Sequence, residues 1–175
     1  MEEEKMEEIY VKYSRLVYNY LYKLTNNIEI SEELTQETFY NAIKGIKNFR
    51  NECSVSVWLC QIAKNKWKDY LKNKKYETIS LNDNLEFLMS EENFEEKISS
   101  REELINFYEK VHNLDINTRE VIYLKIKGEF TFKEIGKILG KNEEWARVTF
   151  YRGKLKLKEE FKNEKWMWSY KRSIT

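Results

Sequence analysis

No proline occurs in the 175 residues, and only five glycines do. With so few residues to break or hinge a helix, long uninterrupted helices are predicted. Histidine occurs once, as His112, and cysteine twice, as Cys53 and Cys60. The cysteine pair lacks CxxC spacing and His112 lies far off in sequence, so no zinc set can be assembled. A disulfide within one helix at that separation would not reach, and both cysteines are read as reduced packing residues. Glycine-rich phosphate loops and paired His or Cys ligands are also missing. The reading is therefore of a protein that is not an enzyme and needs no cofactor. No apolar run approaches the roughly 20 residues of a membrane span. The opening MEEEKMEE is acidic without an apolar core, unlike a signal peptide. A cytoplasmic protein without direct membrane insertion is expected.

What is present is charge, aromatic side chains and helical periodicity. Apolar residues make up 41% of the chain and aromatics 15%, enough for packed cores. The net charge of +1 conceals four alternating blocks. Residues 1–40 carry a net −5, 41–75 a net +7, 76–118 a net −8 and 119–175 a net +7. Two basic blocks separated by acidic ones suggest two places where phosphate could be held.

The stretch Thr131 to Lys158, TFKEIGKILGKNEEWARVTFYRGKLKLK, reads as two helices around a short turn. Thr131 and Glu134 form a capping box, and Ile135, Ile138 and Leu139 share one face. Gly140 sits where a helix ends in a left-handed residue, and Asn142 caps the next helix, with Glu143 and Glu144 at the positive end of its dipole. Ala146, Phe150, Gly153 and Leu157 turn inward, leaving Arg147, Thr149, Tyr151, Arg152 and Lys154 on other faces. A short helix, a tight turn and a longer basic helix is the helix-turn-helix pattern.

Upstream, a first helix is predicted from Met6 to Leu24, ended by Asn26 and Asn27. A second, capped by Ser31, runs to Lys47 with Leu34, Phe39, Ala42, Ile43 and Ile46 inward and Glu33, Gln36, Glu37 and Asn41 exposed. After the loop NFRNECS a third helix runs from Val55 to Lys74, with Val55, Leu59, Ile62, Ala63 and Tyr70 facing a core. On it Gln61, Lys64, Lys68, Lys72 and Lys75 form a polar, basic ridge bordered by Trp58, Asn65 and Trp67. Lysines for phosphates, amides for base edges and rings for stacking suit a nucleic-acid strand. Residues 77–100 read as an acidic linker. A helix resumes near Ser100 with Leu104, Phe107, Tyr108 and Val111 inward. Another, capped by Asn117, buries Val121, Ile122 and Leu124. Whether the aromatic, basic tail EKWMWSYKRSIT packs back is left open. The fold class is thus all-α: two small helical domains, 1–76 and 101–175, joined by an acidic linker, the second domain a helix-turn-helix.

Taken together, these residues resemble bacterial sigma factors of the extracytoplasmic-function type, over almost the whole chain. ISEELTQETFYNAI resembles the acidic signature of their region two, with Glu33 where aspartate is usual. In the third helix and the loop before it, Phe49, Arg50, Ser54, Trp58, Leu59, Ile62, Ala63, Asn65, Asp69, Tyr70 and Leu71 fall in place. Leu114 to Leu124, then EIGKILG and the following helix, resemble region four. Three stretches depart: Asp115-Ile116 stand where prolines are usual, Glu144-Trp145-Ala146 where Gly-Thr-Val opens the recognition helix, and Val148 where serine is frequent. The resemblance implies a protein that binds core RNA polymerase, through clamp and flap of its large catalytic subunit, and directs promoter recognition and melting. It implies core contacts at Glu33, Gln36, Glu37 and Phe39. Minus-ten DNA contacts would fall at Asn48, Phe49, Arg50, Ser54, Gln61, Asn65, Lys68 and Lys72. Minus-thirty-five contacts would fall at Arg147, Thr149, Tyr151, Arg152 and Lys154. An anti-sigma factor is a further implied partner. The alternative is a free-standing helix-turn-helix regulator, which leaves the third helix without a role.

Overall fold

The computed structural model describes residues 2–73, 101–126 and 130–161. The acidic linker and the aromatic tail lie outside them, as does Lys75. The described elements are α-helices and one 3-10 turn, in two compact units. No described helix is long and apolar enough to cross a membrane.

Helix α1 (Glu2–Thr25) ends at Asn26, whose left-handed backbone (φ 49°) turns the chain. Helix α2 (Ile28–Gly45) is capped by Asn27, whose side chain accepts from the Ile30 amide at 3.0 Å. Ser31 is therefore not the cap. It lies inside the helix, fully buried, with its hydroxyl 2.7 Å from that of Thr25 and donating to the Asn27 carbonyl. Thr35 and Thr38 donate back to the carbonyls of Ser31 and Leu34, so a buried row of hydroxyls is satisfied locally. A 3-10 turn (Ile46–Asn48) leads to α3 (Val55–Asn73).

The core of this unit joins Val17, Leu21 and Leu24 of α1, Leu34, Phe39 and Ala42 of α2, and Val57, Leu59, Cys60, Ala63 and Trp67 of α3. Each large apolar side chain buried there contributes about 1.5–3 kcal/mol of transfer free energy. Because α3 packs against both α1 and α2, its buried arc is wider than one stripe. Five expected placements are corrected. Trp67 is buried, and Lys64 is only 7% exposed, so neither belongs to an open ridge. Val55 and Ile62 are half-buried. On α2, Ile43 points outward, 56% exposed.

The C-terminal half holds α4 (Arg101–His112), α5 (Ile116–Ile126), α6 (Phe132–Leu139) and α7 (Glu143–Glu160). Phe107, Tyr108, Val111, Val121, Ile122, Leu124, Ile135, Ala146, Phe150 and Leu157 are buried. Asp115, rather than Asn117, caps α5, its carboxylate accepting from the Thr118 amide at 3.0 Å. Glu120 of the same helix is fully buried. His112 bridges α4 to α5 through the Arg119 guanidinium at 2.9 Å.

Burial, then the Arg119 charge, hold His112 below the usual imidazole range, and hydrogen bonding from Thr118 holds Asp115 below the usual carboxylate range. Both groups bind protons more readily when unfolded, so acid favours unfolding. The His112 contribution is complete above the unfolded value of about 6.5 and declines as pH falls toward the folded one. Amide exchange in α4 and α5, corrected for intrinsic rates, is expected to accelerate between about pH 7.5 and about pH 5.5. His112→Gln should flatten that dependence, and an unchanged profile in this variant would refute the assignment to His112.

Candidate nucleic-acid interface

Three surfaces carry the residues singled out above. The first is the loop between α2 and α3. Gly45 ends α2 beside the Trp58 indole, close enough that an added Cβ would touch its ring at 3.4 Å. Phe49 follows in extended conformation and stacks on Trp58, ring centroids 4.7 Å apart and planes 28° from parallel. Asn51 adopts a left-handed backbone (φ 56°) that turns the loop toward α3. Ser54 opens that helix, its carbonyl accepting from the Trp58 amide at 3.1 Å.

The result is an open cleft of about 550 Å³, lined by Asn48, Phe49, Arg50, Cys53, Trp58 and Gln61 among others. Trp58 is half-buried: one face meets Phe49 and the ring also borders the cleft. Asn65, Lys68 and Lys72 continue from Gln61 along one face of α3, all three exposed. Lys72 also meets Asp69 at 3.4 Å, a pair exposed enough to yield readily to a phosphate. The structure thus brings together Asn48, Phe49, Arg50 and Gln61 at the cleft, with the other ridge residues beyond it. Ser54 sits at the rim, exposed, 3.1 Å from the Ser56 hydroxyl.

The second surface is the outer face of α2. Glu33, Gln36 and Glu37 are exposed. Glu37 also meets Lys66 of α3 at 3.1 Å. Phe39 does not share this surface. It is 4% exposed, beneath Tyr10 of α1, whose ring stands edge-on at 4.8 Å. Its contribution is to seat α2, and its expected place as a contact is corrected accordingly. Tyr40 (60% exposed) and Ile43, missed by sequence reasoning, present the apolar area instead. Lys44 lies 4.0 Å from the centre of the Tyr40 ring, and its hydrogen bond and charge lower the phenol's pKa.

The third surface is α7. The Thr131 hydroxyl accepts from the Glu134 amide at 3.2 Å, and the Glu134 carboxylate accepts from the Thr131 amide at 2.8 Å, a complete capping box. Gly140 is left-handed (φ 67°). The Asn142 side chain accepts from the Trp145 amide at 2.8 Å, capping α7. Ala146, Phe150, Gly153 and Leu157 are all buried, as their spacing predicts. Arg147, Tyr151 and Arg152 are exposed, while Thr149 and Lys154 stand half-buried on the flanks.

The outermost side of α7 carries Val148, Tyr151 and Leu155, all exposed. Sequence reasoning passed over Val148 and Leu155 because it sought polar readers, although an apolar side chain can meet a thymine methyl in the major groove. Arg147 donates to the Glu143 carboxylate at 2.6 Å, and its guanidinium carbon lies 5.8 Å from the centre of the Phe132 ring of α6.

Among the described residues no group of three His, Cys, Asp or Glu side chains could hold a metal ion. The surfaces offer cations, amides and aromatic rings, which is the chemistry of binding a polyanion and its bases.

Comparison with known proteins agrees with that chemistry. Residues 9–76 match the Sigma-70 region 2 family. The chain is 27% identical over 158 residues to RNA polymerase sigma factor YlaC of Bacillus subtilis, covering 89% of this chain and 91% of that protein. It is 28% identical over 156 residues to the ECF RNA polymerase sigma factor SigM of the same organism, covering 87% and 93%. The fold resembles that of the sigma factor RpoE from Bartonella quintana, solved in complex with the anti-sigma factor NepR. There the TM-score is 0.71, with 16% identity over 92% of this chain and 99% of that one. It also resembles CnrH, solved with the cytosolic domain of CnrY (TM-score 0.67, 17% identity, 93% and 90% covered). Residues 9–76 thus carry the likeness to Sigma-70 region 2, and the similarity to both Bacillus sigma factors extends over most of the chain.

Proposed function

We propose that this chain is a sigma factor of the extracytoplasmic-function type and directs core RNA polymerase to promoters by three separate surfaces, each with its own chemistry. The observation that carries the reading is the cleft at Asn48–Gln61, continued by the amide and lysine face of α3, inside the segment that matches region 2. A base drawn from the stack costs a few kcal/mol. Stacking on an aromatic side chain returns about 1–3 kcal/mol per base. Phe49 and Trp58 supply the rings at the cleft, and Asn48, Arg50 and Gln61 supply donors and acceptors for a base edge. Asn65, Lys68 and Lys72 then hold the displaced strand beside it. No bond is hydrolysed, and melting is driven by preferential binding of the open strand.

Glu33, Gln36 and Glu37 suit a basic partner surface on the clamp of the large polymerase subunit, with Tyr40 and Ile43 adding apolar area. In the C-terminal domain, 101–175 in this reading, α7 enters the major groove of the minus-thirty-five duplex. Arg147, Tyr151 and Arg152 meet bases or flanking phosphates, and Thr149 and Lys154 support from the flanks. An anti-sigma factor belongs to the same reading, supported by the NepR complex of RpoE.

Run-off transcription with core polymerase over genomic templates tests the whole. Discrete transcripts that require this chain are expected. Their absence would refute promoter direction, and tight duplex binding by the chain alone would favour a free-standing regulator.

A further inference from the structure

Helix α7 opens on two carboxylates, Glu143 and Glu144, in the turn that faces DNA if α7 is a recognition helix. Acidic side chains favour a helix N-terminus through the dipole, which accounts for their effect on the fold. They are nevertheless costly beside phosphates, so a carboxylate retained there calls for a compensating cation. The structure supplies one. Arg147, one turn on, donates through Nη2 to Glu143 Oε1 at 2.6 Å, with both side chains about half exposed. From the other direction the Phe132 ring of α6 lies 5.8 Å from the same guanidinium. Two elements of one module thus brace the same side chain.

We propose that Glu143 is a positioning residue, which holds the Arg147 guanidinium for a base edge and lowers its attraction for any phosphate. The inference rests on the recognition-helix reading above. An unbraced arginine is a flexible cation that binds backbone anywhere, and its rotamer freedom is lost on docking. Glu143 engages one donor and leaves others of the guanidinium fork for the two acceptors of a guanine. The pair is also nearly neutral at a distance, so it adds little to sequence-independent binding.

A purely structural ion pair of this kind adds little to the helix and would leave base preference untouched. The positioning role predicts changes of opposite sign. With holoenzyme and a promoter found by run-off transcription, the upstream element is randomised and bound templates are sequenced at two salt concentrations. Glu143→Ala is expected to lower preference at one base pair about 10-fold. The same variant should bind random duplex more tightly, with a salt slope steeper by about one. Arg147→Ala should lose preference at the same base pair, and Glu143→Ala should add nothing in that background.

Unchanged preference in Glu143→Ala, or a loss that persists without Arg147, overturns the proposal. If the unsubstituted holoenzyme shows no upstream preference at all, it is the recognition-helix reading that fails.

Discussion

Arg147→Ala is expected to reduce transcription from a cognate promoter about 10- to 100-fold, the equivalent of one bidentate arginine–guanine contact at about 1–3 kcal/mol. The side chain is exposed, and its removal leaves no buried group unpaired. Nothing in the packing of α7 depends on it, because the inward stripe is Ala146, Phe150, Gly153 and Leu157. Affinity for core polymerase, measured by competition with a labelled sigma factor, should therefore stay as it was. The two readouts separate promoter reading from assembly. A matching fall in core affinity would mean that Arg147 belongs to the polymerase interface, and an undiminished transcript level would remove it from promoter reading. Arg152→Ala makes a useful comparison. If Arg152 meets phosphate alone, its loss weakens all promoters alike and lowers the salt slope by about one.

Much of the helix-turn-helix was legible in sequence because every local signal there agrees. The capping box at Thr131 and Glu134, the left-handed Gly140, the Asn142 cap and the apolar spacing of α7 point to one structure, and each recurs in the fold. The N-terminal unit was harder to read for two physical reasons. Asn27 and Ser31 are both good caps four residues apart, and the choice between them depends on the buried Thr25 hydroxyl that engages Ser31. On α3, contact with two helices buries Val57, Cys60, Lys64 and Trp67 beside the expected Leu59 and Ala63, so a single-stripe reading assigns Lys64 to the wrong face.

The placement of the candidate surfaces was legible by residue type and less so by depth. The loop Asn48–Ser54 and the α3 residues Gln61, Asn65, Lys68 and Lys72 lie where the spacing placed them, apart from the buried Lys64. Phe39 did not, because motif resemblance gives a residue's position along α2 but not whether Tyr10 covers it. The clasp between Glu143 and Arg147 was present in the i,i+4 spacing all along. It was obscured by reading Glu143 only as a helix-dipole residue and Arg147 only as a DNA ligand.

The second large effect concerns Gly153, where α7 crosses α5. A Cβ at this position would overlap the Thr118 methyl outright and approach Ile122 Cδ1 to 2.8 Å. Thr118 is β-branched and buried, and Ile122 is buried too, so neither side chain has an easy way to retreat. Backbone strain is not the reason for the glycine. Its requirement is the close approach of two helices, which only a hydrogen at Cα permits. Gly153→Ala should gain under 1 kcal/mol from helix propensity and lose about 1–3 kcal/mol to overpacking. Net destabilisation of the helix-turn-helix follows, read as faster hydrogen exchange in α5 and α7. Thr118→Ser removes the methyl that the new Cβ would strike, and in the double variant most of the lost protection should return. The Thr118 amide still donates to Asp115 in that variant, so the cap of α5 is retained. If Gly153→Ala is as protected as the unsubstituted chain, α5 and α7 do not pack as closely as described. If Thr118→Ser fails to restore protection, the methyl contact is not its cause.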